Sequence, residues 1–441
     1  MKKLLAALVC SVAPGAFAQV GGYMGPGVLT RGASDIGTRS GQQMDLRFYA
    51  DLTGIYDTGL QPYSVDSKGN LVTINGLYGM ELDLGAYGQH QWRQALLGLD
   101  YRGNFYHYEN APTFDGTTHN LTLGYTYQKS RRLAFDFREL AGTSSLAYGF
   151  TGPLNESLPT NFVGQPTSIL FDNRIYYIQS TMDVNFILSP RTVLTAGGDG
   201  YLVRRQAAGL AGLNGYTLRG AIRHRLTRTR TIGATYEHIH FDFPPAYGQS
   251  DVNMLEGMFA TALSKRWTFN LAAGVFQSEV QGVEQISLDP VVAALLGQSS
   301  GFQAFYKANY FPSGSADLTG TFRRYTVSLS YAQTVTPGNG VYLTSRQQSG
   351  TASYSYTALK RWNLGANFGY YTLLGIGQGL QPYSTYSGGA GFTYSLTRAI
   401  QLVGHYDARH QDITAAGFRQ TGYRASFGIA FSPGDVPLSL W

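Results

Sequence analysis

The clearest pattern in the chain is a two-residue alternation of apolar and small polar side chains over residues 351–371. One face carries aromatic and aliphatic groups, and the positions between them carry Ser, Thr, Asn and Gly. Successive side chains of a β-strand point to opposite faces, so this stretch predicts two strands joined by a tight turn at residues 359–362. The apolar positions are Ala352, Tyr354, Tyr356, Trp362, Leu364, Ala366, Phe368 and Tyr370.

The same alternation recurs along the chain, from about residue 44 to a final strand at about 421–431. Further strands are predicted at about 77–88, 94–107, 118–128 and 132–142. A soluble sandwich would carry charged groups on its outward face, whereas the polar face here is largely uncharged. An aromatic face opposite a small polar face is typical of a wall between lipid and water.

A short basic turn repeats with a regular spacing. Consecutive turns are 37 or 38 residues apart, except for gaps of 60 and 58 that we assign to long inserts at about 143–175 and 280–313. The regular gap holds two strands of about 10–12 residues, a tight turn and a longer loop. Adding a first and a last strand predicts a transmembrane antiparallel up-and-down β-barrel of about 18 strands, within 16–20. The turn arginines are Arg93, Arg131, Arg191, Arg228, Arg266, Arg324, Arg361 and Arg398.

The two ends of this barrel are predicted to differ. Short turns lie on the periplasmic side of outer-membrane barrels, and long loops lie outside. Three of the four tryptophans fall at basic turns and the fourth is the last residue. Because tryptophan favours the membrane–water interface, they are predicted to form a periplasmic aromatic girdle. These residues are Trp92, Trp267, Trp362 and Trp441.

Composition fits a membrane barrel that is exported. Charged residues make up only 14% of the chain, below the typical quarter of a soluble domain, and aromatic residues also reach 14%. The first 18 residues have the form of a cleaved Sec signal peptide, with Lys2 and Lys3 before an apolar run and an A-x-A cleavage site formed by Ala16 and Ala18. Its removal takes away the single cysteine and lowers the formal net charge from +6 to +4, too mild to indicate a nucleic-acid partner.

Three segments follow from these features. Residues 1–18 are the signal peptide, residues 19–42 a Gly-rich periplasmic N-terminal segment, and residues 43–441 the barrel. No other run approaches the roughly 18 apolar residues of a membrane helix.

On these residues the chain resembles the outer-membrane β-barrel proteins of Gram-negative bacteria, and among them the porins. The resemblance rests on four features: the signal peptide, the regular spacing of the hairpins, the girdle of tryptophans and a C-terminal aromatic residue, either Trp441 or Phe431. It implies passive diffusion of small solutes, often through a trimer. It also implies contact with outer-membrane lipids and lipopolysaccharide, and delivery by the barrel-insertion machinery.

Charged residues at the parity opposite to the apolar face are predicted to line the pore. Charge facing lipid at mid-membrane costs roughly 2–4 kcal/mol for Arg or Lys, which enforces this parity. An 18-stranded barrel is wide enough for an aqueous channel. The candidates are Arg47, Asp83, Asp100, Arg102, Asp136, Arg138, Asp183, Asp199, Arg219, Arg223, Arg225, Glu237, Asp407 and Arg424.

The densest positive group in this set, Arg219, Arg223 and Arg225, admits two interpretations. The three could form an anion-attracting ladder, or they could be neutralised by carboxylates on neighbouring strands. The second interpretation is favoured, with Asp183, Asp199 and Glu237 as partners.

Two further stretches are candidates for special roles. Residues 289–298 could form a short apolar helix that narrows the mouth or packs on its rim. His238 and His240 share one strand face, a spacing that could bind a metal, although headgroup-level histidines are the favoured interpretation. We predict no catalytic site, no metal site and no cofactor.

Two classes of function remain open. The favoured one is a porin-like channel for small hydrophilic solutes through a charged, water-filled lumen. The alternative is a non-conducting outer-membrane barrel that serves surface interaction or polysaccharide export and anchoring.

Overall fold

The computed structural model describes most of the chain from residue 45 onward. The described ranges are 45–58, 63–65, 71–73, 76–109, 111, 114–145, 174–206, 210–244, 246, 248–287, 289, 291, 297–338, 340, 342–356, 359, 361–377, 382–397, 399–413 and 418–431. The predicted signal peptide, the Gly-rich segment at residues 19–42, Arg398 and Trp441 lie outside these residues.

Strands account for nearly all of the described residues. In chain order they are β1 (Asp45–Asp57), β2 (Tyr63–Val65), β3 (Leu71–Thr73), β4 (Leu77–Gln91), β5 (Ala95–Tyr108), β6 (Gly116–Gln128), β7 (Leu133–Ser145), β8 (Arg174–Ser189), β9 (Thr192–Arg205), β10 (Leu213–Arg225), β11 (Arg230–Phe243), β12 (Gly248–Ala262), β13 (Trp267–Ser287), β14 (Ser300–Thr321), β15 (Tyr325–Thr336), β16 (Ser345–Tyr356), β17 (Trp362–Gly375), β18 (Tyr383–Ser395), β19 (Ile400–Ile413) and β20 (Phe418–Phe431). No helix in the described part of the chain is long and apolar enough to cross a membrane.

Eighteen of these strands form one closed antiparallel sheet, and β2 and β3 form a small separate hairpin. Consecutive barrel strands are hydrogen-bonded neighbours, and β1 closes the ring by pairing with both β4 and β20. Closure removes the free edges that an open sheet would expose. The prediction of an 18-stranded antiparallel up-and-down barrel is therefore confirmed.

The two faces of the wall differ as the alternation requires. On β1 the outward Leu52 is 49% exposed, whereas Asp51 beside it is 4% exposed. Outward aromatic and aliphatic side chains are exposed on nearly every barrel strand. Exposing such a surface to water would cost roughly 25 cal/mol per Å². A continuous apolar exterior is therefore the surface of a barrel that sits in lipid.

The recurring basic turns connect strands at one end of the barrel, as the topology of an up-and-down sheet demands. At several of these turns the geometry depends on a hydroxyl residue close to the arginine. The Ser264 hydroxyl accepts hydrogen bonds from the amides of Arg266 and Trp267, each at 3.2 Å. Ser130 does the same for Arg132 and Leu133, at 3.2 and 3.1 Å. Such bonds satisfy turn amides that the sheet cannot pair.

The prediction of a long loop insert at about 280–313 is wrong, because most of this segment is strand. Strands β13 and β14 remain paired through Ser287 and Ser300, so the segment is a long hairpin. Strand β14 pairs with β15 only over Gly314–Thr321, and β13 pairs with β12 no further than Gln281. Residues 302–311 and Asp317 therefore belong to one continuous strand, part of which projects beyond the wall.

Candidate functional site in the barrel interior

The inward face of the wall carries most of its charged residues in two sectors. One sector is formed by β7–β12, and the other by β1, β4, β5, β19 and β20. The strand registers place the predicted pore-lining residues of each sector on the face opposite the exposed apolar groups. Arg47 lies in β1 opposite Tyr87, and its side chain is outside the described part of the structure.

Arg219 on β10 forms the principal ion-pair network of the first sector. Its guanidinium donates to both carboxylate oxygens of Asp183 on β8, at 2.9 and 2.7 Å, and to Asp199 on β9 at 3.3 Å. A glycine at position 197 gives Asp183 its space, because a Cβ there would lie 2.0 Å from the carboxylate. Arg219 is therefore neutralised by carboxylates on neighbouring strands.

The other residues of this sector are placed around that network. Glu237 lies opposite Arg219 in the β10–β11 register and is buried. Asp136 on β7 accepts hydrogen bonds from Thr126 at 2.8 Å and Asn185 at 2.7 Å. Arg225 donates to the Pro190 carbonyl at 3.2 Å, near the turn end. Two inward arginines lie on the same strands as these residues, Arg138 on β7 and Arg223 on β10.

The second sector combines carboxylates with two arginines. Arg102 on β5 forms a bidentate pair with Asp100, at 3.2 and 3.1 Å. Arg424 on β20 pairs with Glu81 on β4. Asp407 on β19 lies opposite Arg424 in the strand register. Its carboxylate also lies 2.6 Å from His405.

A third part of the wall, β15–β18, has no charged residue at any inward position of its registered strands. Its inward positions are Ser, Thr, Asn, Gln, Gly, Ala and a few apolar residues. Hydroxyls pair with hydroxyls across the strands, as Ser330 does with Thr351 at 2.5 Å. We call this surface the neutral wall.

The end of the barrel opposite the short turns, which we call the mouth, contains an apolar cluster on its inner side. Its buried members come from strands β7–β13 and β15 and from two mouth connections. This mouth cluster comprises Leu140, Ile175, Tyr177, Tyr201, Val203, Ala211, Leu213, Ile239, Phe241, Phe243, Val252, Met254, Phe276, Val280, Val335 and Ile376.

A short loop between β15 and β16, residues 337–344, is folded into this mouth. Its described residues are buried apart from a half-buried Leu343. Gly338 and Gly340 have φ angles of 68° and 96°, a region that favours glycine. A Cβ at Gly338 would lie 1.8 Å from the Tyr342 carbonyl oxygen, so the loop can close only around a glycine.

Contacts with distant strands hold this loop in place. The Ala211 amide, next to β10, donates to the Gly340 carbonyl at 3.0 Å. The Thr344 hydroxyl is hydrogen-bonded to Ser250 on β12. Leu343 packs against the mouth cluster. The loop therefore reaches from its own strands to β10 and β12 on the inner side of the barrel.

The other side of the loop packs against a tyrosine cluster. Tyr342 is buried with Tyr371, Leu373 and Tyr383, which lie on β17 and β18. Burial raises the pKa of the Tyr342 hydroxyl above its ordinary value.

The β13–β14 hairpin contacts a second connection at the mouth, the one between β17 and β18. Lys307 on its projecting part donates to the Gly377 carbonyl, in the β17–β18 connection, at 2.8 Å. The lysine ammonium also lies 4.9 Å from the centre of the Phe305 ring. The predicted constriction at residues 289–298 falls at the tip of this hairpin, and most of it lies outside the described residues. In the described part of the chain, residues 337–344 form the inward-folded loop instead.

The tryptophans and the paired histidines lie away from the interior charges. Trp92, Trp267 and Trp362 lie at the short-turn end. His238 and His240 point outward on β11, where they contact Asn253 at 3.0 Å and Asp251 at 2.8 Å. Among the described residues, no three His, Cys, Asp or Glu side chains are grouped as metal ligands would be.

Comparisons with known proteins give a distant likeness in overall shape. No family model and no curated protein match the sequence. Among solved structures, the chain is similar to Pseudomonas aeruginosa OpdL, with 12% identity, 88% of this chain and 99% of that chain covered, and a TM-score of 0.41. It is also similar to Acinetobacter baumannii OccAB1, with 9% identity, coverage of 90% and 100%, and a TM-score of 0.42.

A third solved structure is the outer membrane protein OpdK of P. aeruginosa. OpdK is 11% identical to this chain. The match covers 88% of this chain and 99% of OpdK, with a TM-score of 0.40. Likeness at this level adds no argument to what the strand order and surface of the chain establish by themselves.

Proposed function

We propose that the protein is an outer-membrane, porin-like channel through which small hydrophilic solutes diffuse passively. The observation that carries this proposal is the opposition of the two faces of one closed wall. The outside is apolar, and the inside is lined by charged residues and hydroxyls. A barrel of 18 strands encloses enough space for a channel, whereas an 8-stranded barrel is filled by its own side chains.

The inward residues would determine the selectivity of the channel among solutes. A charged sector faces the lumen beside a neutral wall, so the field across the pore is uneven. Such a field orders water and sorts solutes by charge. In this proposal the predicted pore-lining residues act as the charged sector, and residues 337–344 narrow the mouth.

The second candidate, a non-conducting barrel for surface interaction or polysaccharide anchoring, is favoured by one observation. The mouth cluster, the inward-folded loop and the β13–β14 hairpin together place many side chains across one end of the barrel. If they close the lumen completely, the chain presents only an outer surface and loops.

Single-channel recording separates the two candidates. The protein is refolded in detergent, its folding is verified by heat-modifiable electrophoretic migration, and it is inserted in a planar bilayer in KCl. The proposal expects discrete, ohmic conductance steps. A barrel that migrates as folded and inserts without conducting would overturn it in favour of the second candidate.

A further inference from the structure

A groove of about 700 Å³ lies on the outer face of the wall, along the neighbouring strands β1 and β4–β8. Its apolar lining belongs to the exposed exterior, since Leu52, Met80 and Tyr176 all point away from the lumen. Ligand sites typically enclose about 300–1,000 Å³, so the groove is large enough to hold part of one molecule. Because the exterior of the barrel lies in lipid, the groove opens to the membrane.

Small side chains on the middle strands form the floor of the groove. Its two sides are aromatic, Phe105 on β5 and Tyr176 on β8. Phe105 is directly opposite Thr117 on β6, and Tyr176 is directly opposite Thr143 on β7. Neighbouring strands are about 4.8 Å apart, so a floor of two strands between the aromatic sides is wide enough for an acyl chain.

The groove is apolar toward the middle of the wall and polar toward the mouth. Leu52, Leu82 and Phe105 form one outward row across β1, β4 and β5. His107 lies two residues nearer the mouth on β5, and Arg174 is the first residue of β8 at its mouth end. A lipid in the mouth-side leaflet has the same order, with its chains toward the membrane middle and its headgroup toward the surface.

The polar end of the groove complements an anionic headgroup. Its one acidic side chain, Asp115, already has partners: one oxygen lies 2.6 Å from His107 Nδ1, and the Tyr108 amide donates to the other at 2.8 Å. Arg174 lines the same end and is always charged. Because a guanidinium binds phosphate bidentately, a phosphate-bearing headgroup fits this end.

Outward polar side chains mark the mouth-side edge of the apolar exterior elsewhere on the barrel. Near the mouth ends of β10–β12, the rings of Tyr216 and His240 stack with their centroids 5.2 Å apart, and His240 lies 2.8 Å from Asp251. Such amphipathic rings favour the headgroup level of a membrane. On β10–β12 these side chains contact one another, whereas on β5–β8 the wall is recessed between its aromatic residues.

We propose that this groove binds one phosphate-bearing lipid of the surrounding membrane, with an acyl chain between Phe105 and Tyr176 and the phosphate at Arg174. Apolarity alone does not retain a lipid there, because the surrounding chains are as apolar as the wall. Close packing in the groove and the charged hydrogen bonds of Arg174, strengthened by the low dielectric, provide the preference. The site needs a barrel in lipid but not an open pore, so it goes beyond the proposed function.

Native mass spectrometry of the full-length protein, refolded in detergent, tests the site. Phosphatidic acid and a diacylglycerol with the same acyl chains are added separately, so the two probes differ only in the phosphate. The wild type is expected to retain one phosphatidic acid and to bind the diacylglycerol about tenfold more weakly, the scale of one charged hydrogen bond. R174Q is expected to bind both lipids at the weaker level.

A second variant fills the floor of the groove. T143L places a larger apolar side chain between the aromatic sides and is expected to lose both lipids, while its leucine still faces lipid. T261L is its control, because Thr261 points outward near the short-turn end of β12. R419Q is the control for R174Q, because Arg419 is an exposed arginine near the mouth end of β20, 3.2 Å from Asp412. Only protein that migrates as folded is compared.

Three results overturn the site. Equal retention of the two lipids by the wild type removes the phosphate preference. A loss in R419Q as large as in R174Q assigns that preference to overall surface charge. Unchanged lipid binding in T143L, or a change only in its oligomer mass, shows that the groove holds a second copy of the chain or nothing specific. Planar-bilayer conductance tests the channel separately, so either proposal can fail without the other.

Discussion

The charged sector around Arg219 and the neutral wall of β15–β18 line the same barrel but are stabilised in different ways. Arg219 is held by two carboxylates on two other strands. The neutral wall needs no such counter-charges, because its inward groups are uncharged; Ser330 and Thr351, for example, are hydrogen-bonded to each other. The positive charge of Arg219 therefore comes with a built-in counter-charge.

The largest effect is expected from breaking the Arg219 network. R219A leaves Asp183 and Asp199 unpaired in a poorly hydrated site, so the free energy of unfolding should fall by about 3–5 kcal/mol. Urea-dependent unfolding in detergent micelles, followed by tryptophan fluorescence, measures this loss. R225A is the matched control, because Arg225 donates only to a turn carbonyl. Equal midpoints for R219A and R225A would contradict the account of the charged sector.

A charge placed on either side of the neutral wall tests its orientation. Tyr354 points outward on β16 and is 42% exposed, whereas its neighbour Ser353 points inward. Y354R should lower the free energy of unfolding by about 2–4 kcal/mol, because its guanidinium faces lipid. S353R should cost far less and shift the permeability ratio toward anions. The unfolding assay with reversal-potential recording checks both, and the reverse order of stabilities would show the faces to be misassigned.

The smallest effect on stability is expected in the loop at residues 337–344, where the two regions meet. G338A forces a Cβ toward the Tyr342 carbonyl at a φ of 68°, at a cost of about 1–3 kcal/mol. The loop should relieve this by moving out of the mouth, which raises single-channel conductance. G350A is the control, since its Cβ would come no closer than 4.0 Å to another atom. Identical conductance in the two variants would mean that the loop does not narrow the pore.

The barrel architecture could be predicted from the sequence alone because two independent signals agree. The alternation identified which side of each strand is apolar, and the turn arginines fixed how many hairpins the chain contains. The favoured pairing of Arg219 with Asp183 and Asp199 could also be predicted, because parity placed all three on one face of adjacent strands.

The mouth could not be predicted in the same way. No pattern within residues 337–344 indicates their burial, because it depends on Ala211 and Ser250, which are distant in sequence. The constriction was predicted at residues 289–298 because their apolar character was the only local signal for a segment that narrows the mouth. A hydroxyl before several of the basic turns was visible in the sequence, but its role emerged only from the hydrogen bonds of Ser130 and Ser264.

The closing seam of the barrel has a consequence for how the chain folds. Strand β1 meets β20 over Ala50–Asp57, and the Tyr423 amide donates to the Thr58 hydroxyl at 2.8 Å across a separation of 365 residues. Contacts so distant in sequence form slowly, since a long loop must close before they stabilise anything. Until β20 has been delivered, the growing sheet has two unpaired edges that can pair with other chains. Pairing of the last strand therefore decides whether the chain becomes a sealed ring or an aggregation-prone open sheet.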